Sequence, residues 1–227
     1  MVFLHHAKRA WQGQNVTYLN PFLILKTLTK CTDKLDDSIL WDCLKAGDEK
    51  AFSMLFEKYY GTLVRYGSSF SSFSEKVQDC VQDVFTDIWI YKETLNDSVV
   101  VKAYLLSCVR RRIARLQERD HIFKRAVSMD SLEFSFDFSV EHHLIANETA
   151  AGKAVRLNRF INELPARQKE ALYLRYHQGL SVEQIAELLN VNYQSANNIL
   201  YRALLKLRKE WKGNLSILLL LSASFFK

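Results

Sequence analysis

Two short helical patterns separated by only three residues constrain this chain more than any other feature. They lie in the stretch 179–208, which reads GLSVEQIAELLNVNYQSANNILYRALLKLR. The first pattern has apolar residues at helical spacing from Val182 to Leu189, and it follows Ser181, whose hydroxyl is suited to cap the first turn. The second pattern carries an apolar stripe of the same kind. Because so short a connection prevents the helices from lying antiparallel, we expect them to cross steeply, as in a helix-turn-helix.

The outward face of the second helix favours nucleic-acid binding. No carboxylate lies between Gln194 and Lys209. Solvated helices usually mix both signs of charge, whereas amides, hydroxyls and cations read base edges and bind phosphates. Two helices packed in an ordinary core would show the same apolar spacing, so the distinction depends on this polar face. The predicted DNA-contacting residues are Gln194, Ser195, Asn197, Asn198, Tyr201, Arg202 and Lys206.

The composition favours an all-α protein large enough for two small domains. The chain has 227 residues, of which 48% are hydrophobic, with only 2 prolines and 7 glycines, and a net charge of +6. Such a charge suits a polyanionic partner without proving one. The cysteines lie far apart and show no zinc-ligand spacing, so we expect reduced thiols, no metal site and no other cofactor. No run reaches the roughly 18 apolar residues of a membrane span, so we expect a soluble, cytoplasmic protein.

Pattern changes along the chain predict five segments. An N-terminal extension of uncertain role occupies residues 1–35, and a first helical domain occupies 36–120. A linker at 121–140 follows, in which phenylalanines alternate with small or acidic residues. This alternation would also suit a strand, but no partner strand is predicted, so we expect a linker whose aromatic side chains dock elsewhere. A second helical domain at 141–212 and an apolar tail at 213–227 complete the chain.

The first helical domain contains an acidic helix followed directly by a strongly basic one. The acidic face consists of Asp79, Gln82, Asp83 and Asp87, without a compensating cation nearby in the sequence. The basic helix carries Arg110, Arg111, Arg112, Arg115 and Arg119. Pairing within a solvated helix is the alternative for these arginines, but the neighbouring carboxylates are too few to balance them. This polarity predicts one face for a protein partner and another for nucleic acid.

Two blocks of the chain resemble the extracytoplasmic-function (ECF) sigma factors, the promoter-recognition subunits of bacterial RNA polymerase. The first block contains LKAGDEKAFSMLFEKYY and DCVQDVFTDIWIYKETL, and the second contains LPARQKEALYLRYHQGLSVEQIAELLN. The blocks occur in the order and at the separation typical of the family, over about residues 36–209. The resemblance implies an all-α fold of two small helical domains, sigma region 2 and the sigma region 4 helix-turn-helix domain, joined by a flexible linker.

The resemblance also implies a function and its partners. A family member binds core RNA polymerase and promoter DNA and directs transcription initiation, and an anti-sigma factor, often membrane-tethered, holds it inactive. By position, the implied polymerase-binding residues are Asp79, Gln82, Asp83, Phe85 and Trp89. The loop and basic helix at 92–119 correspond to the part that recognises and melts the minus-ten element, and the helix from Gln194 corresponds to the reader of the minus-thirty-five element.

The chain departs from the family at positions that bear on base preference. Arg111 and Arg115 stand where many relatives have Asn and Asp, and Asn197 stands where a Lys is common. The promoter sequence therefore does not carry over from the family.

Two other functions remain open at this point. A stand-alone DNA-binding regulator would bind free duplex but would leave the acidic face unexplained. A nucleic-acid enzyme would need a catalytic cluster in the first domain, whereas the carboxylates there follow one exposed strip. We find no nucleophile–base arrangement and expect no catalytic activity and no small-molecule substrate.

Overall fold

The computed structural model describes residues 36–71, 73–121, 132–135 and 157–210, and these residues form helices without a strand. The prediction of an all-α fold is thereby confirmed. The helices are α1 (Asp37–Lys45), α2 (Glu49–Ser68), α3 (Ser74–Ile90), α4 (Val101–His121), α5 (Ala166–Leu172), α6 (Val182–Leu189) and α7 (Tyr193–Glu210). A 3-10 turn at Lys92–Thr94 follows α3, a π-helical turn at Tyr173–His177 follows α5, and residues 157–162 are also helical.

The chain divides into two compact units, Met1–Asp36 and Asp37–Lys227, and every described helix belongs to the second unit. The predicted N-terminal extension, the apolar tail and most of the predicted linker lie outside the described residues. Within the second unit, helices α1–α4 form an N-terminal bundle. Residues 157–210, with helices α5–α7, form a C-terminal bundle.

Local capping explains where the helices of the N-terminal bundle begin and end. The Oδ1 atom of Asp48 accepts hydrogen bonds from the backbone N–H groups of Lys50 (2.7 Å) and Ala51 (3.4 Å), so Asp48 caps α2. Gly47, with φ +91°, separates α2 from α1 at a conformation that favours glycine. The core of the bundle is apolar. Leu63, Val81 and Val109, from three different helices, are completely buried.

The helix-turn-helix is built as the sequence predicts. Ser181 Oγ accepts from the backbone N–H of Gln184 (3.3 Å), and Gln184 Oε1 accepts from the backbone N–H of Ser181 (2.9 Å). This reciprocal capping box fixes the start of α6. Helix α6 ends at Asn190, which adopts a left-handed conformation with φ 54°. Asn192 then caps α7 through its Oδ1, which accepts from the backbone N–H of Ser195 at 2.7 Å.

Pro165 marks the start of α5. The helix begins at Ala166, and Pro165 before it has an extended backbone with ψ 147°. The carbonyl of Pro165 accepts hydrogen bonds from the backbone N–H groups of Gln168 and Lys169 at 2.9 and 3.0 Å. Proline therefore directs the chain into the helix without using an N–H group that it lacks.

The two bundles pack directly against each other, and a buried ion pair joins them. Arg110 on α4 and Glu170 on α5 are 1% and 2% exposed. Arg110 Nε donates to Glu170 Oε1 at 2.7 Å, and Arg110 Nη2 donates to Glu170 Oε2 at 3.3 Å. Tyr66 Oη on α2 also donates to Glu170 Oε1, at 2.7 Å. The carboxylate thus accepts from two side chains of the opposite bundle.

An aromatic cluster surrounds this ion pair. The rings of Tyr66 and Tyr173 stack with an interplanar angle of 7° and a centroid separation of 5.8 Å. Phe134, from the predicted linker, is 1% exposed and lies within 6.3 Å of the ring centroids of Tyr66, Phe70 and Tyr173. A backbone hydrogen bond from Ser135 N–H to Ser69 O (2.8 Å) holds the segment in place. An aromatic residue of the linker therefore docks between the bundles.

Two glycines of α2 offer a matched test of the packing within the N-terminal bundle. A Cβ atom at Gly67 would lie 2.6 Å from Val77 Cγ1 and 3.0 Å from Ile113 Cδ1, whereas a Cβ at Gly61 would meet no atom within 4 Å. We expect Gly67→Ala to lower the free energy of unfolding by about 1–3 kcal/mol through overpacking. Gly61→Ala should raise it by up to about 1 kcal/mol because alanine favours a helix. Urea unfolding followed by circular dichroism measures both, and equal effects of the two variants would contradict the close packing at Gly67.

The alkaline stability of the protein should depend on Tyr66. Burial raises the pKa of Tyr66 well above its ordinary value of 10.0, and the Glu170 carboxylate raises it further. A raised pKa in the folded state contributes stability that is complete below about pH 10 and is lost as the pH rises above it, because the unfolded chain ionises first. We expect Tyr66→Phe to be less stable at neutral pH by about 2 kcal/mol, since a hydrogen bond to a charged group is lost. Its stability should then fall less steeply above pH 10.

The control for this measurement is Tyr193→Phe, because the Tyr193 side chain is 50% exposed. Denaturant unfolding at a series of pH values between 8 and 11 would compare the slopes. A Tyr66→Phe slope equal to that of the parent chain would show that Tyr66 does not ionise more easily in the unfolded state.

Candidate nucleic-acid and protein interfaces

Helix α7 separates its apolar and polar residues as predicted. Ala196, Leu200, Ala203 and Leu207 are buried, and they pack α7 against the other helices of its bundle. The predicted contact residues Gln194, Asn197, Asn198, Tyr201, Arg202 and Lys206 are exposed, and Ser195 is half-buried. The outward face of α7 is therefore available to a ligand.

The outward face of α7 includes apolar groups that the sequence prediction left out. Tyr193 and Leu205, which were not predicted, are 50% and 52% exposed, and they accompany the predicted Tyr201, which is 63% exposed. The spacing of Leu205 from Tyr201 and Arg202 places it on the polar face, and this spacing could have identified it from the sequence. Lys206 is partly engaged, because its Nζ donates to the carbonyl oxygen of Glu163 at 2.8 Å.

The predicted basic helix α4 presents only part of its arginines to solvent. Arg111 and Arg115 are exposed. Arg110 is buried in the ion pair with Glu170 and cannot reach nucleic acid while the bundles are packed together. The side chain of Arg119 lies outside the described residues. Of the predicted DNA-contacting arginines of α4, Arg111 and Arg115 are thus exposed, Arg110 is buried, and Arg112 pairs with carboxylates of α3.

The acidic face of α3 is partly neutralised, contrary to the expectation of an uncompensated strip. Arg112 on α4 donates from Nη1 to Asp87 Oδ2 at 2.7 Å and from Nη2 to Asp83 Oδ2 at 2.6 Å. The cation is distant in sequence, so local spacing gave no sign of it. All three side chains are at least one third exposed, so these pairs contribute little to stability. Asp79 is exposed on the same helix.

The predicted polymerase-binding aromatics lie behind this acidic face. Phe85 is 2% exposed and packs edge-on against Phe52 and Phe56 of α2, so it supports α3 from the core. Trp89 is half-buried, with its ring 5.1 Å from that of Phe52 and Lys92 Nζ 4.8 Å from its centroid. Gln82 is also half-buried. Of the five predicted residues, Asp79 and Asp83 are the exposed ones.

The connection between α3 and α4 exposes a second apolar group that sequence reasoning missed. Ile90, Tyr91 and Val100 are 61%, 59% and 52% exposed. The connection is fixed to α1, since Trp41 Nε1 donates to the carbonyl oxygen of Asn96 at 3.0 Å and Lys45 pairs with Asp97. An exposed aromatic side chain such as Tyr91 on an anchored loop is suited to stacking with an unpaired base, and exposed aliphatic groups beside it extend the apolar surface.

Three cysteines lie among the described residues. Cys43, Cys80 and Cys108 are free thiols, and burial raises the pKa of both Cys43 and Cys80, which lowers their reactivity. Among the residues described, no three His, Cys, Asp or Glu side chains are grouped as metal ligands. In the same part of the chain, no helix combines the length and apolar character needed to cross a bilayer.

Comparison with known proteins supports the assignment of the C-terminal bundle. Residues 154–207 match the family model described as sigma-70, region 4. The RNA polymerase sigma factor SigV of Bacillus subtilis (strain 168) is 26% identical over 145 residues, which cover 63% of this chain and 81% of SigV. The ECF RNA polymerase sigma-E factor of Haemophilus influenzae (strain ATCC 51907 / DSM 11121 / KW20 / Rd) is 27% identical over 185 residues, covering 75% of this chain and 93% of that protein.

Among solved structures, CnrH in complex with the cytosolic domain of CnrY aligns with a TM-score of 0.49 and 19% identity, covering 76% of this chain and 95% of that chain. The segment that matches sigma-70 region 4 includes the helix-turn-helix described above. Over 63% and 75% of its length, the chain is similar to SigV and to the sigma-E factor.

Proposed function

We propose that this chain is a promoter-specificity subunit that binds core RNA polymerase and directs transcription initiation. It acts in the cytoplasm, has no catalytic activity of its own and takes no small-molecule substrate. The observation that carries the proposal is the outward face of α7, which lies in the segment matching sigma-70 region 4 and exposes amides and cations without a carboxylate.

In this proposal the C-terminal bundle reads the minus-thirty-five element. Asn198 and Arg202 lie one turn apart on the exposed face of α7. An amide matches the major-groove edge of adenine, and a guanidinium matches that of guanine or binds phosphate. The capping of α6 and α7 supports this role, because it holds the recognition helix at a fixed angle to its neighbour.

The N-terminal bundle recognises the minus-ten element. Arg111 and Arg115 are exposed on α4, where they would neutralise backbone phosphates. The anchored loop before α4 exposes Tyr91 and Ile90, against which unstacked bases can pack. Melting a promoter needs both a cationic surface for the backbone and an apolar surface for the bases, and this bundle exposes residues of both kinds.

The acidic face of α3 binds the polymerase. Asp79 is exposed, and Asp83 and Asp87 share a single guanidinium, so a negative charge remains on this face. A basic surface on the partner would complement it. We extend the proposal to an inhibitory protein of the anti-sigma class, which would cover these surfaces until a signal releases the chain.

The decisive experiment combines binding and transcription. Gel filtration of the full chain with core RNA polymerase should show co-elution, and the complex should initiate selectively on a library of genomic fragments from the source organism. Absence of co-elution, together with a footprint on free duplex, would instead identify a stand-alone DNA-binding regulator.

Charge reversal on α3 should weaken polymerase binding without affecting the fold. Asp79→Lys is preferred over Asp83→Lys, because Asp83 also pairs with Arg112 and its reversal would disturb α4. We expect Asp79→Lys to raise the dissociation constant for core polymerase at least tenfold at low salt, since like charges now meet at the interface. Glu57→Lys, an equal charge change at an exposed site on α2, is the control. Equal affinity of the parent chain and Asp79→Lys in a fluorescence-anisotropy titration would remove α3 from the polymerase interface.

Shortening Arg202 should impair use of the upstream promoter element. A contact to a base edge discriminates by about 1–3 kcal/mol, so Arg202→Ala should reduce open-complex formation by about 5- to 150-fold on promoters that contain this element. Arg159→Ala is the control, because Arg159 carries the same charge in the same bundle and its side chain is 80% exposed in a surface pair. Run-off transcription on intact promoters measures the effect, and equal transcript levels from both variants would mean that α7 does not read the promoter.

A further inference from the structure

The arginine at the centre of the basic helix is buried, although its neighbours are exposed. Arg110 is 1% exposed, whereas Arg111 and Arg115 on the same helix reach solvent. The proposed function uses α4 as a nucleic-acid surface, and in the packed arrangement one of its cations is occupied by Glu170 of the opposite bundle.

The chemistry of this pair resembles the chemistry of phosphate binding. Glu170 offers two carboxylate oxygens to two nitrogens of Arg110, at 2.7 and 3.3 Å, and accepts a further hydrogen bond from Tyr66. A guanidinium binds carboxylate and phosphate with the same paired geometry, so one anion can replace the other. Glu170 therefore stands where a backbone phosphate would bind.

Energetics make such a pair suited to reversible opening. The attraction between two buried charges is largely offset by the cost of removing both from water. When the bundles separate, both charges regain hydration, so the ionic contact itself does not oppose opening strongly. Removing one partner has the opposite consequence, because the remaining charge is left buried without compensation.

Other contacts across the interface depend on the same closed arrangement. Lys102 Nζ, at the start of α4, donates to the carbonyl oxygen of Gln178 at 2.6 Å, and α4 packs along α6. Helix α7 keeps its outward face exposed in this arrangement. Closure thus covers part of α4 while leaving Asn198 and Arg202 accessible.

We propose that Glu170 competes with nucleic-acid phosphate for Arg110, so that packing of the two bundles withholds Arg110 from nucleic acid until they separate. This inference deepens the proposed function and rests on its use of α4 as a nucleic-acid surface. Closure removes one cation, Arg110, from the minus-ten surface. Arg111 and Arg115 of that surface and the minus-thirty-five reader stay exposed. The contact is an autoinhibitory latch within the chain.

The closed state is tested first by small-angle X-ray scattering, without any ligand. Glu170→Gln and Arg110→Glu should each increase the radius of gyration, because an uncompensated charge or two like charges then face the interface. The exchange Arg110→Glu/Glu170→Arg should return the radius to that of the parent chain, which a misfolded variant would not do. Glu187→Gln, an exposed carboxylate on α6, is the control. An unchanged radius for both single variants would overturn the latch.

Competition is tested by binding of a fluorescein-labelled 20-nucleotide oligothymidylate to the full chain. If the open form is populated to about a tenth, Glu170→Gln should raise the affinity roughly tenfold. The logarithm of the binding constant should also fall more steeply with the logarithm of salt concentration, by about 0.7 for one additional phosphate contact on a single strand. A role that is merely structural would not change this slope.

Two outcomes distinguish this inference from the proposed function. An opened Glu170→Gln chain whose affinity and salt slope match those of the parent chain would overturn the competition. Gains in both quantities, in a chain that fails to co-elute with core RNA polymerase, would leave the latch intact and refute the proposed function. Circular dichroism of each variant verifies that helix content is retained.

Discussion

The packing of the described structure depends on one buried carboxylate. Glu170 accepts hydrogen bonds from Arg110 and Tyr66, which belong to two different helices of the opposite bundle. A carboxylate removed from water needs such partners, because an unpaired buried charge would cost several kcal/mol. The aromatic rings of Tyr66 and Tyr173 exclude water from the site, and Phe134 closes it on a further side. Polar pairing thus sets the alignment of the two bundles, and aromatic packing keeps the pair dry.

The same arrangement relates the two candidate surfaces to each other. Helix α4 contributes Arg110 to the interface, Arg112 to the acidic face of α3, and Arg111 and Arg115 to solvent. A single basic helix therefore contributes to packing and to charge balance on a neighbouring helix, and it leaves two cations exposed. The polar residues of α7 are not divided among such different environments, because its apolar stripe is buried within its own bundle and its polar face is exposed.

Local sequence signals predicted much of the fold. The predicted cap at Ser181 is confirmed, because capping acts within a few residues. Gln184 of the capping box, the left-handed Asn190 and the cap at Asp48 act over the same short range but were not predicted. The apolar stripe and the exposed polar face of α7 follow from helical periodicity in the same way. The acidic face and the arginine cluster were also visible in the sequence, but the partner of each charged side chain was not. Arg112 pairs with carboxylates 25 and 29 residues away, and periodicity contains no information on such distances.

The sequence by itself determined the all-α class, the helix-turn-helix and the residue types available for binding, because helix formation and capping depend on near neighbours. The tertiary structure alone decided which of those residues are accessible. It buries Arg110 against a carboxylate 60 positions away and leaves Ile90, Tyr91 and Val100 at the surface. The physical reason is that the helix packed over a charged or aromatic side chain determines the environment of that side chain. Long-range contacts between whole bundles decide which helix packs there.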